Sequence, residues 1–155
     1  MREAFKAARA SATNGDYPMG AVLVKNDTII SVGYETLKSA NDPVNGHAEI
    51  DAIRKACAAL KQSYLEGCTL YSTHEPCPMC AAAAFWAKVG TIVFSVSREK
   101  MIEQMENKQR KSSDKFSWRQ IAISCKDVIA AGKGPIEIIT GVLEDEGCAL
   151  FDLAQ

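Results

Sequence analysis

Two short motifs constrain this chain more than anything else in it: His47-Ala48-Glu49 and, roughly 30 residues later, Pro76-Cys77-Pro78-Met79-Cys80. Zinc held by Cys and His is almost always four-coordinate. A structural site fills all four positions with protein, and a catalytic site keeps one for water. His47, Cys77 and Cys80 supply three donors of the right kinds. Both sulfurs must bind as thiolates, and a helix N-terminus favours that charge. Pro78 suits the first turn of such a helix, where a missing N–H costs nothing. Glu49 remains free to move protons. Residues two apart on a regular helix point in nearly opposite directions. His47 and Glu49 can therefore face one site only if His47 sits in an irregular first turn.

The rest of the chain sets the frame. Its 155 residues are expected to form one domain, with 47% hydrophobic content able to bury a sizeable core. No apolar run approaches the length of a membrane span, so no membrane association is expected. The opening residues Met1 to Lys6 lack the apolar stretch of a signal peptide. Six Cys with a single C-x-x-C do not read as a disulfide framework, and a reducing, cytoplasmic setting is expected. A net charge of −1 gives no global drive toward nucleic acid.

Strands and helices alternate along the sequence. Residues 2–12 read as a helix ended near Asn14-Gly15. Residues 21–24 and 28–32 are β-rich, with a hairpin turn at Lys25-Asn26-Asp27. Residues 49–60 carry Ile50, Ile53, Cys57 and Leu60 at helical spacing. Strands are expected at 69–72, 91–96 and 136–140, an Ala-rich helix at 77–88 and a closing helix at 142–153. Residues 97–117 are polar, with a helix followed by a loop around Lys111-Ser112-Ser113-Asp114. The pattern predicts an α/β protein, a three-layer α/β/α sandwich with a five-stranded mixed sheet. The long, helix-bearing connection between the last two strands predicts a parallel crossover.

The combination H-x-E…P-C-x-x-C is the signature of the zinc nucleobase deaminases. Two plainer readings compete, a redox C-x-x-C and a structural zinc with His74 as fourth ligand. The redox reading leaves His47, Glu49 and the two prolines without a purpose. Over most of its length the chain resembles the cytidine deaminase-like superfamily, in its purine branch of guanine deaminases and tRNA adenosine deaminases. Asn41-Asp42-Pro43, Ile53-Arg54-Lys55-Ala56-Cys57 and Phe85-Trp86-Ala87 look more like guanine deaminases. Thr140-Gly141-Val142-Leu143-Glu144-Asp145-Glu146 looks more like the tRNA-editing group. The resemblance implies a cytidine deaminase-like fold, one Zn²⁺ per chain on His47, Cys77 and Cys80, Glu49 as the catalytic proton shuttle, and a homodimer.

Two departures bear on the substrate. Family members usually carry an Asn where this chain has Glu35. An ionised carboxylate only accepts hydrogen bonds, whereas Asn also donates. Glu35 would then select a donor-rich ligand edge, as in guanine, pterins or aminotriazines; alternatively it points to solvent. The segment Pro43-Val44-Asn45-Gly46-His47 is one residue longer than the usual form and approaches the metal.

His74 either lines the pocket or simply ends its strand. Asp114 falls where guanine deaminase-like enzymes place a substrate-facing acid. Phe85 and Trp86 are expected in the core, with base stacking as the alternative, and Cys57, Cys68, Cys125 and Cys148 as small buried residues. Lys108, Arg110, Lys111, Lys115 and Arg119 read as a solvated helix face, with a tRNA contact as the sharper alternative. The function expected is hydrolytic deamination of a free purine-like base or nucleoside, guanine deaminase-like. A tRNA-specific adenosine deaminase is the alternative, and a catalytically silent zinc-stabilised binding module the third.

Overall fold

The structure, a computed structural model, describes residues 1–109 and 121–154. Helix α1 (Arg2–Thr13) leads into the hairpin β1 (Gly20–Lys25) and β2 (Thr28–Tyr34). Asn26 and Asp27 both take left-handed backbone angles, φ 49° and 59°. That is the two-residue turn that matches strand twist, and Asn and Asp tolerate it. Helix α2 (Ala48–Leu60), β3 (Cys68–His74), α3 (Pro78–Trp86) and β4 (Thr91–Val96) follow. Helices α4 (Arg98–Gln109) and α5 (Cys125–Ala131), strand β5 (Glu137–Ile139), helix α6 (Glu144–Cys148) and a 3₁₀ turn (Ala149–Leu153) complete the described chain.

The sheet runs β2-β1-β3-β4-β5. Strand β1 is antiparallel to β2 and to β3, whereas β3–β4 and β4–β5 are parallel. The mixed five-stranded sheet and the parallel last pair match the sequence expectation. Along β1, Ala21 and Leu23 join a core with Ala48, Ala52, Ala56, Ala81 and Ala84. Alanines on α2 and α3 let both helices lie close to the sheet. On the other face Gly20 abuts Ala4 and Ala8 of α1.

Gly33 places α2. A Cβ there would run into the Ala48 carbonyl and the Ala52 nitrogen, backbone that cannot swing aside. Gly33→Ala is expected to push the N-terminus of α2, and His47 with it, off the sheet. Overpacking of this kind costs about 1–3 kcal/mol, sometimes more. The check is a lower urea midpoint accompanied by weaker zinc retention.

Two expectations about elements need correcting. The closing helix expected at 142–153 is broken. Leu143 is left-handed at φ 58°, and only the five-residue α6 and a 3₁₀ turn form. Trp86, expected in the core, ends α3 with 77% of its surface exposed, while Phe85 packs against the core. Among the expected small buried cysteines, Cys68 and Cys125 are buried, but Cys57 and Cys148 are only partly so. No helix among the described residues is long and apolar enough to cross a membrane.

Candidate metal centre and pocket

The starts of two helices, α2 and α3, bring three side chains together. His47 is the residue before α2, with extended backbone at φ −74°, ψ 134°. Its side chain thus leaves the helical rotation, and His47 and Glu49 line one cavity. That is the irregular first turn the two-residue spacing demands. Cys77 is likewise the extended residue before α3, Pro78 is the first helical residue, and Cys80 stands on the first turn. Ala81 donates its N–H to the Cys77 carbonyl at 2.9 Å, closing that turn.

The three donor atoms cluster without further adjustment. Cys77 Sγ lies 3.6 Å from Cys80 Sγ, and His47 Nδ1 lies 3.9 Å and 3.6 Å from Cys77 and Cys80. Tetrahedral zinc with ordinary bond lengths requires about 3.8 Å between two sulfurs and about 3.6 Å between sulfur and nitrogen. The donor set therefore fits zinc in chemistry and in spacing. The electrostatics agree: the neighbouring Cys80 thiol, helped by His47, pulls Cys77 down to about 4. Cys80, sharing that proton and buried, is pushed up. The hydrogen bond to Cys77 raises His47 to about 9. Among the described residues the cluster comprises these three; His74 is not a fourth member.

Glu49 lies outside the cluster but lines the same cavity. It is buried, and Ser72 Oγ donates to its Oε1 at 3.0 Å. Burial, then the nearby Cys77 charge, raises its carboxyl above the ordinary range. The cavity measures about 570 Å³, the size of a small-molecule site.

Glu35 does not point to solvent. It is 2% exposed and lines the cavity, and its Oε2 accepts the Ala48 N–H at 3.2 Å. One carboxylate oxygen thus holds the first N–H of α2 next to a metal ligand. Burial pushes Glu35 up to about 8, with the His47 charge opposing. His74 satisfies both of its expected alternatives: it ends β3 and lines the cavity. The longer loop into His47 is absorbed in a compact turn. Asp42 Oδ1 accepts the N–H groups of Val44 and Asn45 at 3.1 and 2.8 Å, and Gly46 N bonds the Asp42 carbonyl at 3.1 Å. Asp114 and the side chains of Lys108, Arg110, Lys111, Lys115 and Arg119 lie outside the described residues.

Sequence reasoning passed over four participants. Ser72 sits two residues before His74 on β3, so strand alternation alone puts both on one face. Arg98 and Met101 line the cavity from the start of α4. Glu75, just before the second motif, accepts the N–H groups of Arg98 and Cys125, both at 2.8 Å. It ties the starts of α4 and α5 to the cysteine loop.

Residues 1–96 match the family described as the cytidine and deoxycytidylate deaminase zinc-binding region. The chain belongs to that family. It is 38% identical over 100 residues to a tRNA-specific adenosine deaminase of Aquifex aeolicus (strain VF5), covering 64% of this chain and 66% of that protein. It is 38% identical over 104 residues to a guanine deaminase of Bacillus subtilis (strain 168), covering 67% and 62%. The aligned segment thus spans just under two thirds of both relatives. Among solved structures, one from a study of A-to-I editing by tRNA:A34 deaminases superposes with a TM-score of 0.77. It is 29% identical, over 97% of this chain and 96% of that one. The fold, the purine-branch resemblance and the zinc-binding character of the deaminase family all stand.

Proposed function

We propose that this deaminase-family chain hydrolyses an amino-substituted nitrogen heterocycle, a free purine-like base or nucleoside, and releases ammonia. The observation that carries the reading is the meeting of the three-donor cluster and the buried Glu49 carboxyl in one cavity of small-molecule size. His47, Cys77 and Cys80 would hold the zinc. Zinc when bound supplies a Lewis acid that makes a water a competent nucleophile near neutral pH. Glu49 takes the proton given up on attack at the amino-bearing carbon. It passes protons to the ring nitrogen and then to the leaving amine. Its raised pKa suits a group that must hold a proton between those transfers. Ser72 fixes the carboxyl through Oε1.

Glu35 supports a small-molecule substrate with specific polar edges. Glu35→Gln keeps an oxygen able to accept the Ala48 N–H, so the fold is expected to survive. The amide alters the hydrogen bonds offered to the ligand, and kcat/KM is expected to fall about tenfold or more. A change within about twofold means that Glu35 serves only α2.

The second reading, a tRNA-specific adenosine deaminase, is favoured by the near-complete superposition on the tRNA-editing structure. Ammonia release from the zinc-loaded protein separates the two. The panel is guanine, guanosine, adenine, cytosine, cytidine, a pterin, an aminotriazine and a tRNA anticodon stem-loop. Turnover of the RNA alone overturns the first reading. No turnover of any of them points to a zinc-stabilised binding module. The homodimer implied by the family resemblance belongs to the same reading.

A further inference from the structure

One polar group in the cavity wall is not used by the chemistry above. His74 is 2% exposed and lines the cavity, yet its Nε2 is buried with no hydrogen-bond partner among the described residues. Its other nitrogen is tied down: Nδ1 lies 2.8 Å from Thr73 Oγ1. That hydroxyl already accepts the Gly20 N–H at 3.1 Å, and because Thr73 is fully buried its own O–H is satisfied by donating to Nδ1. With Nδ1 accepting, the single N–H proton of a neutral imidazole must sit on Nε2. Phe151 meets the ring edge-on, at 4.9 Å between centroids and 76° between planes, and hinders it from turning away.

We propose that His74 is a specificity residue, fixed by Thr73 as an Nε2–H donor for an acceptor atom of the bound heterocycle. Within the deaminase reading on which this rests, it narrows the substrate class. The ring must carry, besides its amino group, a carbonyl oxygen or bare ring nitrogen positioned to take that N–H. A buried donor left unpaired is costly, so a ligand lacking the acceptor is penalised twice, by the bond it cannot make and by the donor it covers. Burial also holds the ring neutral, pulling it down to about 3.

The chain has two histidines, so long-range ¹H–¹⁵N spectra of the labelled, zinc-loaded protein resolve each ring, and His74→Leu assigns them. The expected result is an Nε2–H tautomer at His74, neutral from about pH 5 to 8, whose Nε2 signal moves when guanine is added. Guanine, 2-aminopurine (without the carbonyl oxygen) and 7-deazaguanine (without one ring nitrogen) then locate the acceptor. One of the two analogues is expected to have a kcat/KM about 10- to 100-fold below that of guanine, and His74→Leu is expected to close that gap. A purely structural His74 would lower all three alike. An Nδ1–H tautomer, or an Nε2 signal that none of the three purines moves, overturns the proposal whether or not ammonia is released. A signal moved by guanine without ammonia release sinks the deaminase reading and leaves the His74 assignment standing.

Discussion

Glu49→Gln is expected to lower kcat by about 10²–10⁴-fold, the range carried by a positioned acid–base group, while zinc stays bound. The substitution changes little else. Gln has the same shape, and its amide oxygen can still accept from Ser72 Oγ, which lies 3.0 Å from Oε1. What disappears is the ability to take a proton from water and return it. KM should move little, because the lost contribution belongs to the transition state. The Tm is expected to stay level or rise by a few degrees. Burial already disfavours the ionised carboxylate, and a neutral amide removes that cost. A more stable and much slower enzyme is the signature of a group placed for chemistry rather than for folding. The measurements are steady-state kinetics, zinc content by metal analysis and a melting curve. Activity above a few per cent of wild type, or loss of zinc, would show that Glu49 is not the proton shuttle.

Much of this arrangement is legible in the sequence because the relevant physics is local. Asn26-Asp27 between two β-rich runs can make a strand-matching turn, and it does. Pro78 after Cys77 sets a helix start. The two-residue gap between His47 and Glu49 requires an irregular turn, and the extended backbone of His47 supplies it. Ser124 and Asp127 form a reciprocal capping box that opens α5, a signal present in the sequence but not taken up.

What stays hidden depends on tertiary neighbours. Val142 to Leu153 looks helical throughout. Yet Leu143 is left-handed, its carbonyl accepting the Ser95 hydroxyl of β4 at 3.1 Å, so the helix starts only at Glu144. Trp86 sits on an apolar helix, and only the packing of α3 shows that its side faces outward while Phe85 faces the core. Glu35 is least legible of all. Its pairing with Ala48, thirteen positions away, exists only because Gly33 lets α2 rest on β2.

Zinc binding is expected to be steeply pH-dependent, and to fail when one sulfur is removed. Below about pH 9 His47 carries a proton, and Cys80 holds its own. Cys77, at about 4, is already a thiolate at neutral pH. Zinc needs a neutral imidazole and two thiolates, so between about pH 6 and 8 its binding expels roughly two protons. The sign follows: raising the pH removes competing protons, and apparent affinity rises by about 100-fold per pH unit over that window. Calorimetry in buffers of different ionisation enthalpy counts those protons directly. One proton or none would show that His47 or Cys80 is not a ligand. Cys80→Ala leaves two donors where three are needed and creates a small gap at a fully buried position. It is expected to lose stoichiometric zinc at micromolar concentrations. Because a metal that binds only the folded chain stabilises it by mass action, the wild-type Tm should fall on chelation, and the variant's should not respond to the chelator. A variant that still melts lower on chelation retains a metal site not built on Cys80, and the three-donor assignment would then be wrong.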